Sequence, residues 1–254
     1  MLTQLPTEGI SLVISDLHSN LPALEAIIKH ADKLGYDHLI SLGDVVGYGP
    51  WPGECVARLE LHERHLLLKG NHEHYLQQKE LPNVNPDAVA AIEYARKQLK
   101  QSKIDALQEW PERIDHQAVT LVHASLADTP HFLGYIFPQT LQKNFSACAE
   151  ENCRMLLYGH THLGALYRQD PKGNIQQSSP TTLQYSSLSG RVMLNPGSAG
   201  QPRDNDPRAA FALWDHSNQL ISFHRVEYPI DQTAKAIRAA GLPRNNAARL
   251  WLGR

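Results

Sequence analysis

The chain has few cysteines and no excess of charge of either sign. Only 3 of its 254 residues are Cys, and Cys55, Cys148 and Cys153 form no Cys-x-x-Cys pair. This excludes a thiolate-rich structural zinc site, and the odd number fits reduced thiols. The formal net charge is −2, from 24 Lys and Arg against 26 Asp and Glu. Without a basic field, the chain lacks the composition of a dedicated nucleic-acid binder.

Long apolar runs are also missing. No apolar stretch approaches the ~18 residues of a membrane span, and residues 1–9 lack the basic region of a secretory signal. We therefore expect a cytoplasmic protein with no membrane partner. The composition, 42% hydrophobic and 20% charged, is that of an ordinary globular protein. Because no linker, repeat or low-complexity run interrupts the chain, we expect a single domain over residues 1–254.

Short apolar runs, each closed by a polar cluster, are what the chain does contain. Five runs are β-branched or Leu-rich and predict buried strands at 10–14, 38–42, 65–68, 119–122 and 155–158. Because open α/β sheets bind ligands beyond the carboxyl ends of their strands, the clusters are expected to converge on one crevice. They contain seven candidate metal ligands: Asp16, His18, Asp44, Asn71, His123, His160 and His162.

Helical patterns alternate with these strands. They predict helices at 21–34, with Asn20 as N-cap and an end at Gly35, at 52–63 and at 86–100. Beyond residue 162 the chain becomes rich in strand patterns, followed by helices at 231–240 and 245–252. We expect the late strands to form a second sheet from 163–169, 183–188, 192–194, 209–215 and 219–227.

The types of donor in the clusters indicate metal chemistry. Two carboxylates, one amide oxygen and four imidazoles form the mixed oxygen and nitrogen set suited to Mn, Fe, Zn, Ni or Co. Seven donors are too many for one ion and suit two ions that share a carboxylate. We expect Asp44 to be the bridge, because Gly43 before it has no side chain to crowd the approach. A single Asp-x-His or Gly-Asp is usually a turn or a strand-end cap, so only the five clusters in combination support this prediction.

The clusters also match a known family. The chain resembles the calcineurin-like metallophosphoesterases, and nearest to it are small single-domain bacterial and archaeal members. The resemblance implies an α/β fold, a four-layer α/β/β/α sandwich of two mixed sheets, with a dinuclear metal centre. By motif position it assigns Asp16, His18, Asp44 and His162 to one ion, and Asp44, Asn71, His123 and His160 to the other. The matching segments are ISDLHSN at 14–20, GDVVGYGP at 43–50, KGNHE at 69–73, VHAS at 122–125, YGHTH at 158–162 and NPGSAGQPRD at 195–204.

The activity implied by the resemblance is metal-dependent hydrolysis of a phosphoester. We expect a metal-bridging hydroxide to attack phosphorus, with Asp44 and His72 as the catalytic residues. His72, as imidazolium, would donate to a phosphoryl oxygen or to the leaving group. The position after His72 is often Asp in the family and is Glu73 here, so the orientation of the imidazole is left open.

A phosphodiesterase acting on small diesters or nucleotides is the preferred reading, by group resemblance. A phosphomonoesterase or a protein phosphatase is the alternative. A non-catalytic protein-binding scaffold, such as the retromer subunit of this fold, is disfavoured because every ligand position is filled. A nuclease would need a basic groove, which the sequence does not show.

Two long segments, 73–117 and 128–152, follow predicted strands and are expected to wall the active site and select the substrate. Within the site, Asn71, His72 and Arg203 are candidate substrate contacts. The loop 195–204 has two readings: a tight turn fixed by Pro and Gly, or a functional loop in which Asn195 or Arg203 binds substrate or braces the turn of His162. His74 and His131 are further candidates to face the substrate. No residue pattern indicates the oligomeric state.

Overall fold

The computed structural model describes residue 2 and residues 4–254, so that Met1 and Thr3 of the segment 1–9 lie outside the described residues. The helices are α1 Leu21–Leu34, α2 Pro52–Glu60, α3 Asn71–Tyr75, α4 Pro86–Gln98, α5 Gln101–Gln108, α6 Leu141–Glu150, α7 Ile230–Ala239 and α8 Arg244–Leu252. The strands are β1 Ile10–Ile14, β2 His38–Ser41, β3 His65–Leu67, β4 Arg113–His116, β5 Val119–Val122, β6 Met155–Leu157, β7 Ala165–Gln169, β8 Ile175–Ser178, β9 Thr182–Gln184, β10 Arg191–Asn195, β11 Ala209–Asp215 and β12 Leu220–Val226.

Two mixed sheets of six strands each form the centre of the fold. The first has the order β3-β2-β1-β11-β12-β9, and the second has the order β4-β5-β6-β10-β7-β8. Strands β1, β2 and β3 run parallel, as do β5, β6 and β10, and the remaining neighbours are antiparallel. Each sheet therefore presents three parallel strand ends at one edge.

Alternation along β1 shows how the layers pack. Val13 joins a core that also contains Leu157 and Leu194 of the second sheet, so the two sheets face each other through this side. Leu12 and Ile14 point to the opposite side and pack with α1 and α2. The outer face of the second sheet packs on α6 in the same way. Since successive side chains of a strand point to opposite faces, the result is the expected α/β/β/α order of layers. The predicted fold class is confirmed.

The assignment of the late strands to a second sheet was right for β7 and β10 and wrong for the other three. Strands β9, β11 and β12 lie in the first sheet, with Leu12 of β1 opposite Leu213 of β11. Conversely, β5 and β6, predicted with the early strands, belong to the second sheet beside β10. Strand β11 is buried along six of its seven residues, as expected for a central strand. The apolar residues of β11 indicate a central strand, but they do not indicate which strand pairs with it.

Several element ends differ from the prediction. Helix α1 is as expected: the Asn20 side chain accepts from the Ala23 amide at 3.3 Å, and Gly35 follows with a φ of 81°. Helices α2 and α4 end before residues 63 and 100, and β2, β3 and β6 each stop one residue early, where the chain turns into a polar cluster. Helices α3, α5 and α6 and strands β4 and β8 were not given bounds from the sequence. Within the described part of the chain, no helix is both long and apolar enough to cross a membrane.

Candidate metal centre

The candidate metal centre lies where the parallel strand ends of the two sheets meet. The first sheet contributes Asp16 and His18 after β1 and Asp44 after β2, while Asn71 opens the helix after β3. The second sheet contributes His123 after β5, and His160 and His162 after β6. All seven predicted ligands are buried, with at most 8% of any residue exposed. The structure brings the whole predicted set together.

The donor atoms form three overlapping groups. The groups are Asp16, His18 and His162; His18, Asp44 and His72; and Asp44, His123 and His160, each with its donor atoms within 4.8 Å of one another. The Nε2 atoms of His18 and His162 are 3.0 Å apart. Nε2 of His123 lies 3.1 Å from Oδ1 of Asn71 and 3.3 Å from Oδ2 of Asp44. Ligands held about 2.1 Å from one ion lie roughly 3.0–3.4 Å from each other, so these spacings fit shared coordination.

The ring nitrogens also point to a cation. Nδ1 of His18, His123 and His162 contacts the carbonyl oxygens of Val46 at 3.1 Å, Leu42 at 2.8 Å and Gln201 at 2.6 Å. A carbonyl can only accept, so Nδ1 of each ring carries a proton, and in the neutral rings of His18 and His162 Nε2 presents a lone pair. The lone pairs of His18 and His162 then face each other at 3.0 Å with no proton between them. A bound cation relieves this repulsion, and Nε2 of His160, buried without a hydrogen-bond partner, is equally suited to one.

Five of the seven candidate ligands have left-handed backbones. Their φ angles are positive at Asp16, His18, Asp44, His160 and His162, between 49° and 64°. Each such residue costs of order 1–3 kcal/mol and persists only where its surroundings impose it. Backbone bonds between loops do so here: the Asp16 amide donates to Gly43, and the His18 amide donates to Asp44. The Asp16 carboxylate in turn accepts from the His160 amide at 3.0 Å, joining the two sheets.

Glycine allows the loops to come this close at two points. A Cβ on Gly70 would lie 2.2 Å from Oδ1 of Asp44, and one on Gly47 would lie 2.0 Å from Nδ1 of His72. Gly47 also has a φ of 97°, which side chains rarely tolerate. These glycines therefore fix the distance between the candidate bridge, the neighbouring imidazole and the backbone around them.

Glu73 does not orient His72. Its carboxylate is fully buried and accepts three backbone hydrogen bonds, from the amides of Asp44 at 2.9 Å, Val46 at 3.0 Å and Gly70 at 2.8 Å. Burial, together with the nearby Asp44 charge, raises the pKa of Glu73 to about 7. Glu73 thus ties the loop after β2 to the start of α3 and holds the backbone of Asp44. This role was missed from the sequence, where only the side chain of His72 was considered as its partner.

Burial and the mutual charges set the protonation of the centre. Burial raises the pKa of Asp16 to about 6 and lowers that of His160 to about 3. Burial also depresses the pKa values of His18 and His162 well below normal. For His123, burial lowers the pKa, but the Asp44 carboxylate outweighs it and raises the pKa to about 9. Most of the imidazoles are therefore neutral near pH 7, whereas the His123 ring is a positively charged imidazolium.

His72 lies beside the predicted ligands, with Nε2 4.0 Å from Oδ2 of Asp44. Burial lowers its pKa, although Asp44 opposes the shift. The lowered pKa favours the neutral ring over the imidazolium expected from the sequence. A neutral ring still has one N–H, and it can donate one hydrogen bond.

Side chains that are not candidate metal ligands surround the centre. The edge of the Tyr48 ring packs on His18 at 4.7 Å between centroids, and the half-exposed Tyr135 packs on His160 at 4.1 Å. Asn195 is buried and donates to Gly159 at 2.8 Å and to Thr161 at 3.1 Å, which braces the turn of His162. Tyr48 belongs to the motif at 43–50, which assigns it no role. No sequence pattern distinguishes Tyr135 from the rest of the segment 128–152.

The two other candidate histidines lie outside the donor groups. His74 packs on Phe132, with centroids 4.7 Å apart, and Nδ1 of His131 contacts the carbonyl of Ser125 at 3.3 Å. Neither belongs to a group that could hold an ion among the residues that the structure describes. Their suggested contact with substrate stays a prediction.

Two mixed sheets flanked by helices, with Asp and His groups at their joined strand ends, define a metallophosphoesterase fold. A family model described as the calcineurin-like phosphoesterase superfamily domain matches residues 11–219. The chain belongs to the calcineurin-like phosphoesterase superfamily, as its motifs indicated.

Relatives match over nearly the whole chain. A metallophosphoesterase crystal structure from Sphaerobacter thermophilus is 35% identical, with a TM-score of 0.83, covering 97% of this chain and 99% of that one. An uncharacterized protein of Methanocaldococcus jannaschii is 32% identical over 247 residues, which are 95% of this chain and 97% of that protein. A hypothetical protein from Pyrococcus horikoshii, 20% identical with a TM-score of 0.78 over 96% and 98% of the two chains, shares the fold.

Proposed function

We propose that the chain is a phosphoesterase that uses two transition-metal ions. One ion would be held by Asp16, His18, Asp44 and His162, and the other by Asp44, Asn71, His123 and His160. The observation that carries this proposal is the sharing of donors: Asp44 and His18 each belong to two of the three groups. The mixed oxygen and nitrogen donors suit Mn, Fe, Zn, Ni or Co.

When bound, the ions would activate a water molecule and neutralise phosphoryl oxygens. The protein side chains then bind and orient the ester. His72, held close to Asp44 by the packing at Gly47, would donate its N–H to a phosphoryl oxygen. Arg203, whose amide donates to the carbonyl of His162 at 3.2 Å, would add a positive charge beside it.

We further propose one domain in which the segments 73–117 and 128–152 wall the site. Tyr135 from the second segment supports this, because its ring packs on His160 at 4.1 Å between centroids. Burial and then the Asp44 charge raise the pKa of Tyr75 from the first segment, and burial also raises the pKa of Tyr135. A small phosphoester, and a diester by preference, is the proposed substrate. A monoester remains the alternative, because the donor groups themselves do not distinguish the two.

The test combines metal analysis with two esters. Purified protein is loaded with each metal in turn and assayed with p-nitrophenyl phosphate and bis(p-nitrophenyl) phosphate. We expect hydrolysis with at least one metal, and a faster reaction with the diester. Asp44→Asn should abolish activity and lower the metal content below two ions per chain, because Asp44 would serve both. The exposed Asp32→Asn on α1 is the charge-matched control.

Two outcomes would contradict the proposal. Wild-type metal content in Asp44→Asn would remove Asp44 from the bridge. If the fully metal-loaded protein hydrolyses neither ester, the result would favour a non-catalytic protein-binding scaffold of the same fold over an enzyme.

A further inference from the structure

Arg203 lies beside the candidate metal centre, and within residue 2 and residues 4–254 it forms no ion pair with a carboxylate side chain. Its guanidinium carbon is 5.7 Å from the centroid of the Tyr48 ring, and Nη2 donates to Oε1 of Gln201 at 2.8 Å. Nε is buried and has no hydrogen-bond partner. The charge of Arg203 helps to depress the pKa values of His72, His160 and His162, after the effect of burial. The guanidinium is therefore close to the place where a phosphoester would bind.

A second arginine meets the first from the C-terminal helix. Arg249 of α8 donates through Nη1 to the same Oε1 of Gln201 at 3.3 Å, and through Nε to a main-chain oxygen of Arg254, which is part of the terminal carboxylate. Burial, and then the charge of Arg203, lower the pKa of Arg249. Two guanidinium groups thus converge on one neutral amide oxygen.

This arrangement is unlike the ion pairs elsewhere in the protein. Among the described residues, neither Arg203 nor Arg249 forms an ion pair with a carboxylate side chain. Four of the other twelve arginines do: Arg58 with Glu25, Arg113 with Asp115 and Glu151, Arg208 with Asp206, and Arg225 with Asp204. Two adjacent, partly buried cations repel each other, and an anion placed between them removes that repulsion.

We propose that Arg203 and Arg249 form a subsite for a second phosphate group of the substrate. This rests on the proposed phosphoesterase function and narrows it. Tyr48, which packs on His18 and lies beneath Arg203, connects the subsite to the metal centre. Guanidinium groups match phosphate oxygens through paired hydrogen bonds. The preferred substrate is then a small molecule with a second phosphate next to the scissile one, as in a nucleoside diphosphate. Water would attack the terminal phosphorus, the P–O–P bond would break, and the products would be a nucleoside monophosphate and inorganic phosphate.

The test compares ligands that differ by one phosphate. Methylphosphonate and methylenebisphosphonate are titrated calorimetrically into the metal-loaded wild type, Arg249→Gln, Arg249→Lys and Arg244→Gln. Arg244 is an exposed residue of the same helix, so its substitution is the matched control for lost charge. The kcat/KM values for ADP and AMP are measured on the same four proteins.

We expect Arg249→Gln to weaken methylenebisphosphonate binding by about tenfold or more, with a much smaller effect on methylphosphonate. The ratio of kcat/KM for ADP to that for AMP should fall by a similar factor. The bisphosphonate affinity of Arg249→Lys should lie between those of the wild type and Arg249→Gln, because lysine keeps the positive charge but lacks the paired N–H donors of a guanidinium. Arg244→Gln should match the wild type in both measurements. Should Arg249→Gln fail to fold, judged by circular dichroism, Arg249→Lys carries the comparison.

Equal weakening of both phosphonates, or of neither, would overturn the subsite. The binding titration does not depend on turnover. If the wild type hydrolyses no phosphoester but Arg249→Gln still loses affinity for the bisphosphonate alone, the subsite stands and the proposed hydrolysis fails. If the wild type hydrolyses a phosphoester but Arg249→Gln binds both phosphonates as the wild type does, the proposed hydrolysis stands and the subsite fails.

Discussion

The protonation of His72 decides what its removal should cost. A neutral imidazole makes a poor proton donor to a leaving group but still donates a hydrogen bond to a phosphoryl oxygen, and such a contact is needed whatever group departs. We therefore predict that His72→Ala lowers kcat on the order of 10²-fold for both alkyl and nitrophenyl esters, at unchanged metal content. The measurement is kcat with a matched pair of esters.

If His72 acts as a general acid, as expected from the sequence, the losses of kcat in His72→Ala should differ between the two esters. This role requires a large loss with the alkyl ester and little with the nitrophenyl ester, because an acidic nitrophenolate leaves without a proton. That pattern would show that bound substrate restores the imidazolium against the effect of burial.

Glu73 should affect metal binding without touching a metal. In Glu73→Gln one acceptor oxygen becomes an NH2 group, so at least one of the amides of Asp44, Val46 and Gly70 faces a donor. At pH 8, above its pKa of about 7, we predict a loss of about 1–3 kcal/mol of unfolding free energy, together with weaker metal binding. Urea unfolding and metal titration measure the two effects.

The exposed Glu93→Gln on α4 is the control for that substitution. A stability loss with wild-type metal affinity would reduce Glu73 to a structural residue with no influence on the position of Asp44.

The residue types of the site could be predicted from the sequence, but their orientations could not. Seven donors follow apolar runs, and the structure places all seven together. The partner of Glu73 was not predictable, because its bonds reach back to a loop 27 to 29 residues earlier. The contact of Arg249 with Gln201, 48 residues apart, has no sequence signal at all. Such contacts depend on how whole elements pack.

At the scale of elements, the loop after β2 limits the space around His72. Gly47→Ala would place a methyl group 2.0 Å from Nδ1 of His72 at a φ of 97°, so the ring or the loop must move. We predict a loss of activity at least as large as that of His72→Ala. Gly173→Ala, in the turn between β7 and β8, has a similar φ of 88° but nothing within 4 Å of the new methyl group. It isolates the cost of backbone strain.

Both variants should lose a similar amount of stability from strain alone. The comparison of their kcat values against their melting temperatures therefore separates the clash from the strain. A Gly47→Ala enzyme as active as Gly173→Ala would show that the position of His72 is not critical.

Some element ends were predictable from the sequence, but the sheet partners of the strands were not. Strand β1 and helix α1 have their predicted bounds because local signals, an apolar run, an Asn cap and a Gly stop, decide them. Sheet membership is set by contacts between distant segments. Strand β11 pairs with β1 some two hundred residues earlier. The hydrophobic pattern of β11 does not indicate which strand lies beside it.

For the whole molecule, metal binding should depend on pH through His123. In the metal-free protein its pKa of about 9 means that it is protonated at neutral pH, and it must lose that proton to offer Nε2. We predict that metal affinity rises by up to tenfold per pH unit from about 7 to 9 and then levels off. Calorimetry in buffers of different ionisation enthalpy counts the released protons.

The sign of the stability effect is opposite. Since the folded-state pKa of His123 lies above the ordinary value of 6.5, its stabilisation of the metal-free fold is complete below pH 6.5 and is lost as the pH rises through about 9. His123→Gln is the control, and it should release about one proton fewer on metal binding near pH 7.5. An unchanged proton count would exclude His123 as the source.

The hydrogen bond from the His160 amide to the Asp16 carboxylate joins residues 144 positions apart, one from each sheet. The candidate metal centre therefore cannot exist in any early folding intermediate that contains only one sheet. Its ligands come together only after contacts between segments 144 residues apart have closed, and closing contacts of such long range is the slow part of folding. Under the proposed function, metal bound to all seven residues would require that both sheets have already assembled. Metal occupancy would then report how much of the protein has its two sheets in place.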